Sequence, residues 1–316
     1  MPLAVLLALL QAAPASFLAP GNHNLSLHFG DRTRRFIVHT PPQVREGRPL
    51  PVVLSFHGGG GTARGTQQYT GTDSIADREG FIVVYPEGTG VLPRRLHTWN
   101  AGTCCGYARD QHVDDVGFVR ALLDDLARRT PIDQRRIYAT GLSNGGMMSY
   151  RLAAELGDRI AAIAPIAGGM VVDSIRSPRP VPIMHIHSVD DPRALYAGGL
   201  GPSFPFTNIR VVHPVMDSVI ARWARFDGCP GTPVVGETIH GRAGSPSAGH
   251  TATPIRYGPC AGGSEFVLWK LTGAGHVWPS AGVQSWQKYV GPATDVIGAD
   301  TLMWRFFQRF SLPESH

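Results

Sequence analysis

The stretch RRIYATGLSNGGMMSYRLAAEL, residues 135–156, decides the fold. It opens with RRIYAT (135–140), a run that predicts a strand, and it closes with MMSYRLAAEL (147–156), which predicts a helix. Between them lies GLSNGG (141–146). Its glycines allow a sharp reversal, because larger side chains beside Ser143 would collide with their neighbours. The stretch therefore predicts a strand, a tight turn and a helix, with the hydroxyl of Ser143 presented at the turn.

Buried strands and amphipathic helices alternate around this turn. The runs PVVLSF (51–56) and FIVVYP (81–86) are continuous and apolar, as strands covered on both faces of a parallel sheet are. Residues 64–79 can supply the crossover helix between them, and Asp114 is a natural N-cap for a helix ending near residue 129. This alternation predicts a doubly wound, mostly parallel α/β sheet with helices on both faces. Further strands are predicted at 24–29, 34–40, 160–166, 181–187 and 265–271, and further helices at 215–226 and 301–310.

A long insertion, about 192–264, precedes the last predicted strand and is rich in glycine and proline. It contains the helix at 215–226, so we expect a cap or side wall over the site rather than a linker. Cys229 and Cys260 lie at loop ends within it, where a disulfide closing that loop would stabilise the fold by about 3–4 kcal/mol. The adjacent Cys104 and Cys105 leave three states open: two thiols, a vicinal disulfide, or a bridge elsewhere.

The N-terminus resembles an export signal. An apolar run, Leu3 to Leu10, is followed by Ala13-Pro14-Ala15, which predicts cleavage before Ser16. The run is too short to span a bilayer, so we expect no stable membrane anchor. Residues 1–15 are therefore predicted to be a signal peptide of a secreted protein, and 16–316 a single domain. An oxidising compartment would also suit the cysteines.

Charge and histidine content exclude several classes of function. The net charge of +5 comes from scattered basic residues without a recognition motif, so we expect no nucleic-acid partner. His185 and His187 alternate along a strand that should be buried, and two histidines alone make an incomplete metal site. We expect no metal and no cofactor. The sequence does not define an oligomeric state.

Two later loops can complete a catalytic serine site. A serine hydroxyl needs a base, and the base needs an orienting carboxylate. The strand at 181–187 runs into Asp190 and Asp191, and the strand at 265–271 runs into His276. Each loop follows the C-terminal end of a strand, where ligands bind in open α/β sheets. One of the two aspartates is expected to orient His276 while the other caps the turn. In the alternative interpretation, Ser143 is only a helix cap and His276 an ordinary loop histidine.

The glycine-rich segment HGGGG (57–61) follows the strand at 51–56. Such loops donate one backbone amide to an oxyanion hole. A phosphate-binding loop is the competing interpretation, but no Gly-Lys-Ser/Thr follows. We therefore expect the amides of Gly59 and Asn144 to hold the oxyanion, each worth about 3–4 kcal/mol in the transition state.

Together these motifs resemble the secreted polyhydroxybutyrate depolymerase-like esterases, a group that includes the feruloyl and acetylxylan esterases of carbohydrate esterase family one. The resemblance covers about residues 25–310. Its motifs are HGGGG (57–61), YPEG (85–88), TWNAGTCCG (98–106), VDDVGF (113–118), IDQRRIYATGLSNGGMM (132–148), HSVDDPRALY (187–196) and GAGHVWP (273–279).

The resemblance implies an α/β-hydrolase fold and a catalytic triad of Ser143, His276 and Asp191. The family pattern His-Gly-Thr-x-Asp places the acid at Asp191 when its histidine is aligned with His187, although Ser188 and Leu195 depart from the family's glycine and proline. Three side chains are expected to contact the substrate, with an aromatic wall from the tryptophan after His276: His57, Trp99 and Trp278.

The activity implied is hydrolysis of carboxylic esters, with 3-hydroxyalkanoate oligomers as the expected substrate. Soluble oligomers are favoured over polymer granules, because the sequence shows neither a polymer-binding module nor a Ser/Thr-rich linker. One alternative is a feruloyl or acetylxylan esterase acting on acylated polysaccharide. Others are a serine peptidase on the same fold and an inactive hydrolase used as a binding protein.

Overall fold

The structure is a computed structural model that describes residues 17–44, 48–92, 95–204, 208–281 and 287–314. The predicted signal peptide, residues 1–15, lies outside the described residues. The described strands are β1 (Gly21–Phe29), β2 (Arg32–Thr40), β3 (Leu50–Phe56), β4 (Ile82–Pro86), β5 (Ile132–Leu142), β6 (Ala162–Ile166), β7 (Ile183–Ser188), β8 (Gly199–Leu200), β9 (Val212–His213), β10 (Val234–Val235), β11 (Ile239–His240), β12 (Thr251–Tyr257) and β13 (Phe266–Thr272).

An 11-stranded sheet organises the fold, in the order β1-β2-β4-β3-β5-β6-β7-β13-β12-β10, with β11 also paired to β12. From β4 to β13 the neighbouring strands are parallel. The hairpin β1–β2 joins one edge antiparallel to β4, and β12 joins the other edge antiparallel to β13. The carboxyl ends of the parallel strands thus meet at one edge of the sheet, where we expected the functional loops.

Helices cover both faces of the sheet, as predicted. The described helices are α1 (Ala63–Tyr69), α2 (Thr72–Glu79), α3 (Gly106–Asp110), α4 (Asp115–Arg129), α5 (Asn144–Glu155), α6 (Met216–Phe226), α7 (Gln287–Val290) and α8 (Ala299–Phe307). The helix predicted at 64–79 is two helices, separated at Thr70 and Gly71. Asp114 caps α4 as predicted, since its side chain accepts a hydrogen bond from the Gly117 amide.

Alternate residues of one central strand pack into two different cores. Val52 and Leu54 of β3 lie with Leu122 of α4 in one cluster. Val53 faces the other side of the sheet and lies with Phe307 of α8. All five side chains are fully buried or nearly so. The continuous apolar run at 51–56 is explained by this double coverage, because both sets of side chains leave water.

The insertion at 192–264, which was expected to form a cap or side wall, divides into two parts. Its first part carries the short hairpin β8–β9 and borders the pocket described below. Its last part, β10 to β12, extends the sheet beyond β13. The strand β12 was not predicted, because Pro254 interrupts its sequence and proline is unusual inside a strand.

The cysteines are paired in the structure. Cys229 and Cys260 form a disulfide with an S–S distance of 2.00 Å, which joins the loop after α6 to the turn before β13. Cys104 and Cys105 are bonded to each other, so of the three states left open by the sequence the structure shows the vicinal disulfide. None of the helices that the structure describes has the length and apolar character that a membrane crossing needs.

Candidate active site

Ser143 lies in the sharp turn between β5 and α5. Its backbone has φ 59° and ψ −120°, a conformation that is strained for a residue with a side chain. The turn packs tightly against the neighbouring strand: a Cβ atom on Gly141 would lie 2.6 Å from the Phe56 carbonyl oxygen, and one on Gly145 would lie 2.7 Å from that of His57. Only glycine fits at these two positions. The sequence therefore holds Ser143 at the N-terminal end of α5.

Ser143 opens into a pocket of about 220 Å³ at the carboxyl edge of the sheet. Most of the lining is apolar, and the vicinal disulfide forms part of it. Polar groups reach it at only a few points, as is usual for small-molecule sites. The described lining residues are Gly58, Gly59, Cys104, Cys105, Leu142, Ser143, Asn144, Met147, Arg193, Pro202, Phe204, Val211, His213, His276, Tyr289 and Val290.

His276 lines the same pocket and is hydrogen-bonded to a buried aspartate. Its Nδ1 lies 2.7 Å from Oδ2 of Asp191, and Oδ1 of Asp191 accepts the amides of Arg193 (2.7 Å) and Ala194 (2.8 Å). With Nδ1 occupied in this way, Nε2 is left for the pocket. The described hydrogen bonds do not include one between Ser143 and His276. In enzymes that pair a serine nucleophile with a histidine base, the hydrogen bond between the two often shortens only when substrate binds.

Asp191 is held ionised by its surroundings. Burial by itself would raise the pKa of this carboxyl group. The proximity of His276 and the hydrogen bonds from His187 and His276 outweigh that effect and hold the pKa of Asp191 well below its usual range. A permanent negative charge therefore lies behind the imidazole of His276.

Asp190 has a different position from its neighbour. It is exposed, and its Oδ2 accepts a hydrogen bond of 2.7 Å from the Gly273 amide, in the loop that leads to His276. The sequence left Asp190 and Asp191 as alternatives on physical grounds, and the structure separates them. Asp191 contacts the histidine, whereas Asp190 ties the two loops together.

A buried chain of hydrogen bonds lies behind Asp191. The Ala194 carbonyl can only accept, so Nε2 of His187 donates to it at 2.7 Å and Nδ1 is left as an acceptor. His185 then donates from Nε2 to His187 (3.1 Å) and accepts from the Tyr150 hydroxyl (3.1 Å). Burial, with His187 beside it, lowers the pKa of His185 well below its usual value. The two histidines thus support the loop that carries Asp191.

Gly59 and Asn144 lie next to each other at the pocket. A Cβ atom on Gly59 would lie 3.7 Å from Cβ of Asn144, and both residues line the pocket beside Ser143. Asn144 is the first residue of α5, so its N–H has no partner within the helix. For Gly59, no acceptor for the amide occurs among the described hydrogen bonds. Gly59 and Asn144 thus offer two backbone donors beside Ser143, and an oxyanion hole made of these two amides stays a prediction.

Two residues expected to touch the substrate hold the glycine loop in place. Trp99 is fully buried and donates from Nε1 to the His57 carbonyl at 3.1 Å. Its backbone N–H and C=O bond the Asn144 side chain at 2.7 and 3.0 Å. His57 is also buried, with Nδ1 donating to Gly58 and Nε2 accepting from the Gly88 amide. Neither residue is among the described residues that line the pocket, and their contact with substrate stays a prediction. We call His57, Trp99 and Asn144 the glycine-loop brace.

The brace continues into a cluster of His57, Glu87 and His97, whose ligand-type atoms lie within 4.8 Å of one another. These atoms already have partners. Nε2 of His57 accepts from the Gly88 amide at 3.0 Å, and His97 pairs with Glu87 at 2.9 Å. Burial lowers the pKa of His57 to about 4, which agrees with a neutral ring. The cluster therefore serves as a hydrogen-bonded support.

Trp278 is likewise buried in the structure. Its ring is 1% exposed, and Nε1 donates to Asp300 at 3.1 Å. The residue follows His276 by two positions, but the chain turns its side chain into the core beside α8. Trp278 is not among the described residues that line the pocket, and its role as an aromatic wall stays a prediction. It anchors the histidine loop to α8.

The side chains that do face the pocket from the insertion were not predicted. We call them the pocket wall: Arg193, Pro202, Phe204, Val211 and His213. Burial and the proximity of His276 lower the pKa of His213 to about 4, so this ring is neutral near pH 7. Arg193 lay inside the motif HSVDDPRALY (187–196), yet nothing in the sequence shows which way it points. In the structure its guanidinium is oriented by a hydrogen bond to the Ser203 carbonyl, between β8 and β9.

The sheet order, the Ser143 turn and the Asp191–His276 pair define the protein as an α/β-hydrolase. More than half of the chain, residues 35–230, matches the family described as Esterase PHB depolymerase. The chain therefore belongs to this family.

Individual relatives agree with the family. A bifunctional acetylxylan esterase/xylanase of Neocallimastix patriciarum is 29% identical over 258 residues, covering 81% of this chain and 33% of that protein. Feruloyl esterase B of Piromyces equi is 27% identical over 286 residues, covering 89% and 46%. The chain thus spans less than half the length of these relatives. The solved acetyl xylan esterase of Aspergillus awamori has a TM-score of 0.57 at 16% identity, covering 91% of this chain and 99% of that one, and shares the fold.

Proposed function

We propose that the protein is a secreted carboxylic ester hydrolase that forms an acyl-enzyme on Ser143. The observation that carries this proposal is the 2.7 Å hydrogen bond from His276 to the buried Asp191, in a pocket that Ser143 shares. An aligned carboxylate, a histidine and a strained serine turn are the parts that activate a hydroxyl nucleophile. Two disulfides and the predicted signal at 1–15 support export to an oxidising compartment.

The reaction follows from the positions of these groups. Oγ of Ser143 attacks the ester carbonyl carbon while Nε2 of His276 takes its proton, and Asp191 stabilises the imidazolium that forms. The amides of Gly59 and Asn144 hold the oxyanion. Collapse breaks the ester C–O bond, and the leaving alcohol takes the proton from His276. Water then attacks the acyl-enzyme with His276 as base, which releases the acid and restores Ser143.

For the substrate we propose oligomers of 3-hydroxyalkanoic acids. The family membership and the largely apolar pocket support this choice. The names of two relatives favour a second candidate, an acetyl or feruloyl ester on a polysaccharide. Comparing a 3-hydroxybutyrate oligomer, methyl ferulate and acetylated xylan on one preparation separates these. A peptidase would instead cleave an amide analogue as fast as the ester.

The direct test is Ser143→Ala, which should lower hydrolysis of p-nitrophenyl butyrate by about 10⁴-fold or more, because the nucleophile is lost while binding remains. A fluorophosphonate probe should label the wild type and not the variant. The matched control is Ser174→Ala, at an exposed serine outside the pocket, which should keep wild-type turnover. Unchanged turnover in Ser143→Ala would contradict the proposed function.

A further inference from the structure

Arg193 is the one permanently charged side chain among the described residues that line the pocket. The other titratable groups in that lining are His276, Tyr289 and the neutral His213. No described carboxylate lines the pocket. An ester has no net charge, so the chemistry at Ser143 does not by itself explain a guanidinium at this place.

The guanidinium is held in position but keeps hydrogen-bonding capacity. One nitrogen donates to the Ser203 carbonyl at 3.0 Å, and the guanidinium carbon lies 5.6 Å from the centre of the Phe204 ring. That ring approaches the glycine loop, since a Cβ atom on Gly59 would lie 3.6 Å from it. Arginine has five N–H donors, so one bond to a carbonyl leaves enough for a bidentate partner.

The acid nearest in sequence does not neutralise this charge. Asp191 attracts the guanidinium, but its oxygens are bonded to His276 and to the amides of Arg193 and Ala194. No described carboxylate lies within ion-pairing distance of the Arg193 side chain. Partial burial lowers the pKa of Arg193, yet a guanidinium stays protonated in proteins. A cation in a largely apolar pocket favours an anionic ligand group.

We propose that Arg193 binds a carboxylate of the substrate, so that the preferred substrates are esters with a free acid group close to the scissile bond. This inference rests on the proposed function and narrows it. In an oligoester of hydroxy acids, one end of every chain carries such a carboxylate, one monomer away from the last ester bond. The enzyme would therefore remove units from that end. Feruloyl and acetyl esters of sugars carry no such group.

The test compares two forms of the 3-hydroxybutyrate dimer, the free acid and the primary amide, which share the same scissile ester. Released monomer is measured by chromatography. In the wild type, kcat/KM should be higher for the acid by about tenfold or more, because a charge-assisted bidentate contact is lost in the amide. Arg193→Gln should bring this ratio close to one, and Arg193→Lys should keep part of it, because lysine retains the charge without the planar fork.

Arg210→Gln is the matched control. Arg210 stabilises the hairpin β8–β9 through a 2.8 Å hydrogen bond to the Gly201 carbonyl, and it does not line the pocket. It should leave the acid-to-amide ratio at the wild-type value. A wild-type ratio near one would overturn the inference without any variant. Equal losses for both dimers in Arg193→Gln would also overturn it. If Ser143→Ala still abolishes turnover in either case, the proposed function stands and only the carboxylate site fails.

Discussion

The glycine-loop brace lies behind one side of the pocket, the pocket wall lines another side, and the two are built in opposite ways. The brace residues are at most 1% exposed, and their side chains bond to backbone atoms of other loops. The wall residues Arg193, Phe204 and His213 are only half-buried. Phe204 and His213 lie on a hairpin whose strands have two residues each, and Arg193 lies in the segment before it.

This difference separates two tasks. The brace holds the amides of Gly59 and Asn144 in the same place whichever ester is bound. Any movement would leave buried polar atoms without hydrogen-bond partners. A half-buried wall can change its side chains at little cost in stability. We therefore expect substitutions among the buried supporting residues to change the hydrolysis rates of all esters alike. Substitutions in the pocket wall should change the relative rates for different esters.

The largest effect is expected at the acid. Asp191→Asn should lower kcat by about 10⁴-fold for every ester, because the amide cannot stabilise the imidazolium and favours the wrong tautomer of His276. Asp190→Asn is the control, since an amide oxygen can still accept from Gly273, and it should cost less than about tenfold. Steady-state kinetics on p-nitrophenyl butyrate measure both. Equal losses in the two variants would contradict the separation of roles.

A smaller effect is expected in the stability of the brace at low pH. The pKa of His57 is lowered to about 4 in the folded protein, so the unfolded chain binds this proton more readily. The contribution of His57 to stability is therefore complete above about pH 6.5 and is lost as the pH falls from there to about 4, by about 3 kcal/mol in total. Urea unfolding at several pH values in this range measures how the free energy of unfolding changes with pH.

The matched variants for this pH effect are His57→Gln and His28→Gln. His57→Gln should make the free energy of unfolding fall less steeply between pH 6.5 and 4, because the contribution of His57 is removed. The contributions of the buried His185 and the half-buried His213 remain. His28 is exposed on β1, and its substitution should leave this pH dependence unchanged. An unaltered slope in His57→Gln would show that the brace does not depend on a neutral ring.

The features that the sequence could predict are those that short stretches of chain determine. Strands, helices and the turn at Ser143 are local, because apolar runs and glycines determine them within a few residues. The loops of Asp191 and His276 were located for the same reason, since each follows a strong strand signal. The bounds of β3, β4 and β7 differ from the predictions by at most two residues.

The side chains around the substrate were not predictable in this way. Trp278, Trp99 and His57 stand in family motifs beside the site, but their orientation depends on loops packed behind them, which bury all three. His213 reaches the pocket from the hairpin β8–β9, and Arg193 reaches it from the segment before that hairpin, where its guanidinium bonds the Ser203 carbonyl. Such long-range packing leaves no periodic signal in the sequence.

The smallest effect is expected at the wall, from Phe204→Ala. Removing a half-buried ring beside Gly59 should raise KM for a long acyl ester by about fivefold, since roughly 1 kcal/mol of apolar contact is lost. Acetate esters, whose acyl group is too short to cover the wall, should change less. The comparison uses p-nitrophenyl octanoate against p-nitrophenyl acetate. Leu200→Ala, exposed on the same hairpin but outside the pocket lining, should affect neither. An equal fall in kcat for both esters would show that Phe204 acts as the brace residues do. It would contradict the division of tasks between the brace and the pocket wall.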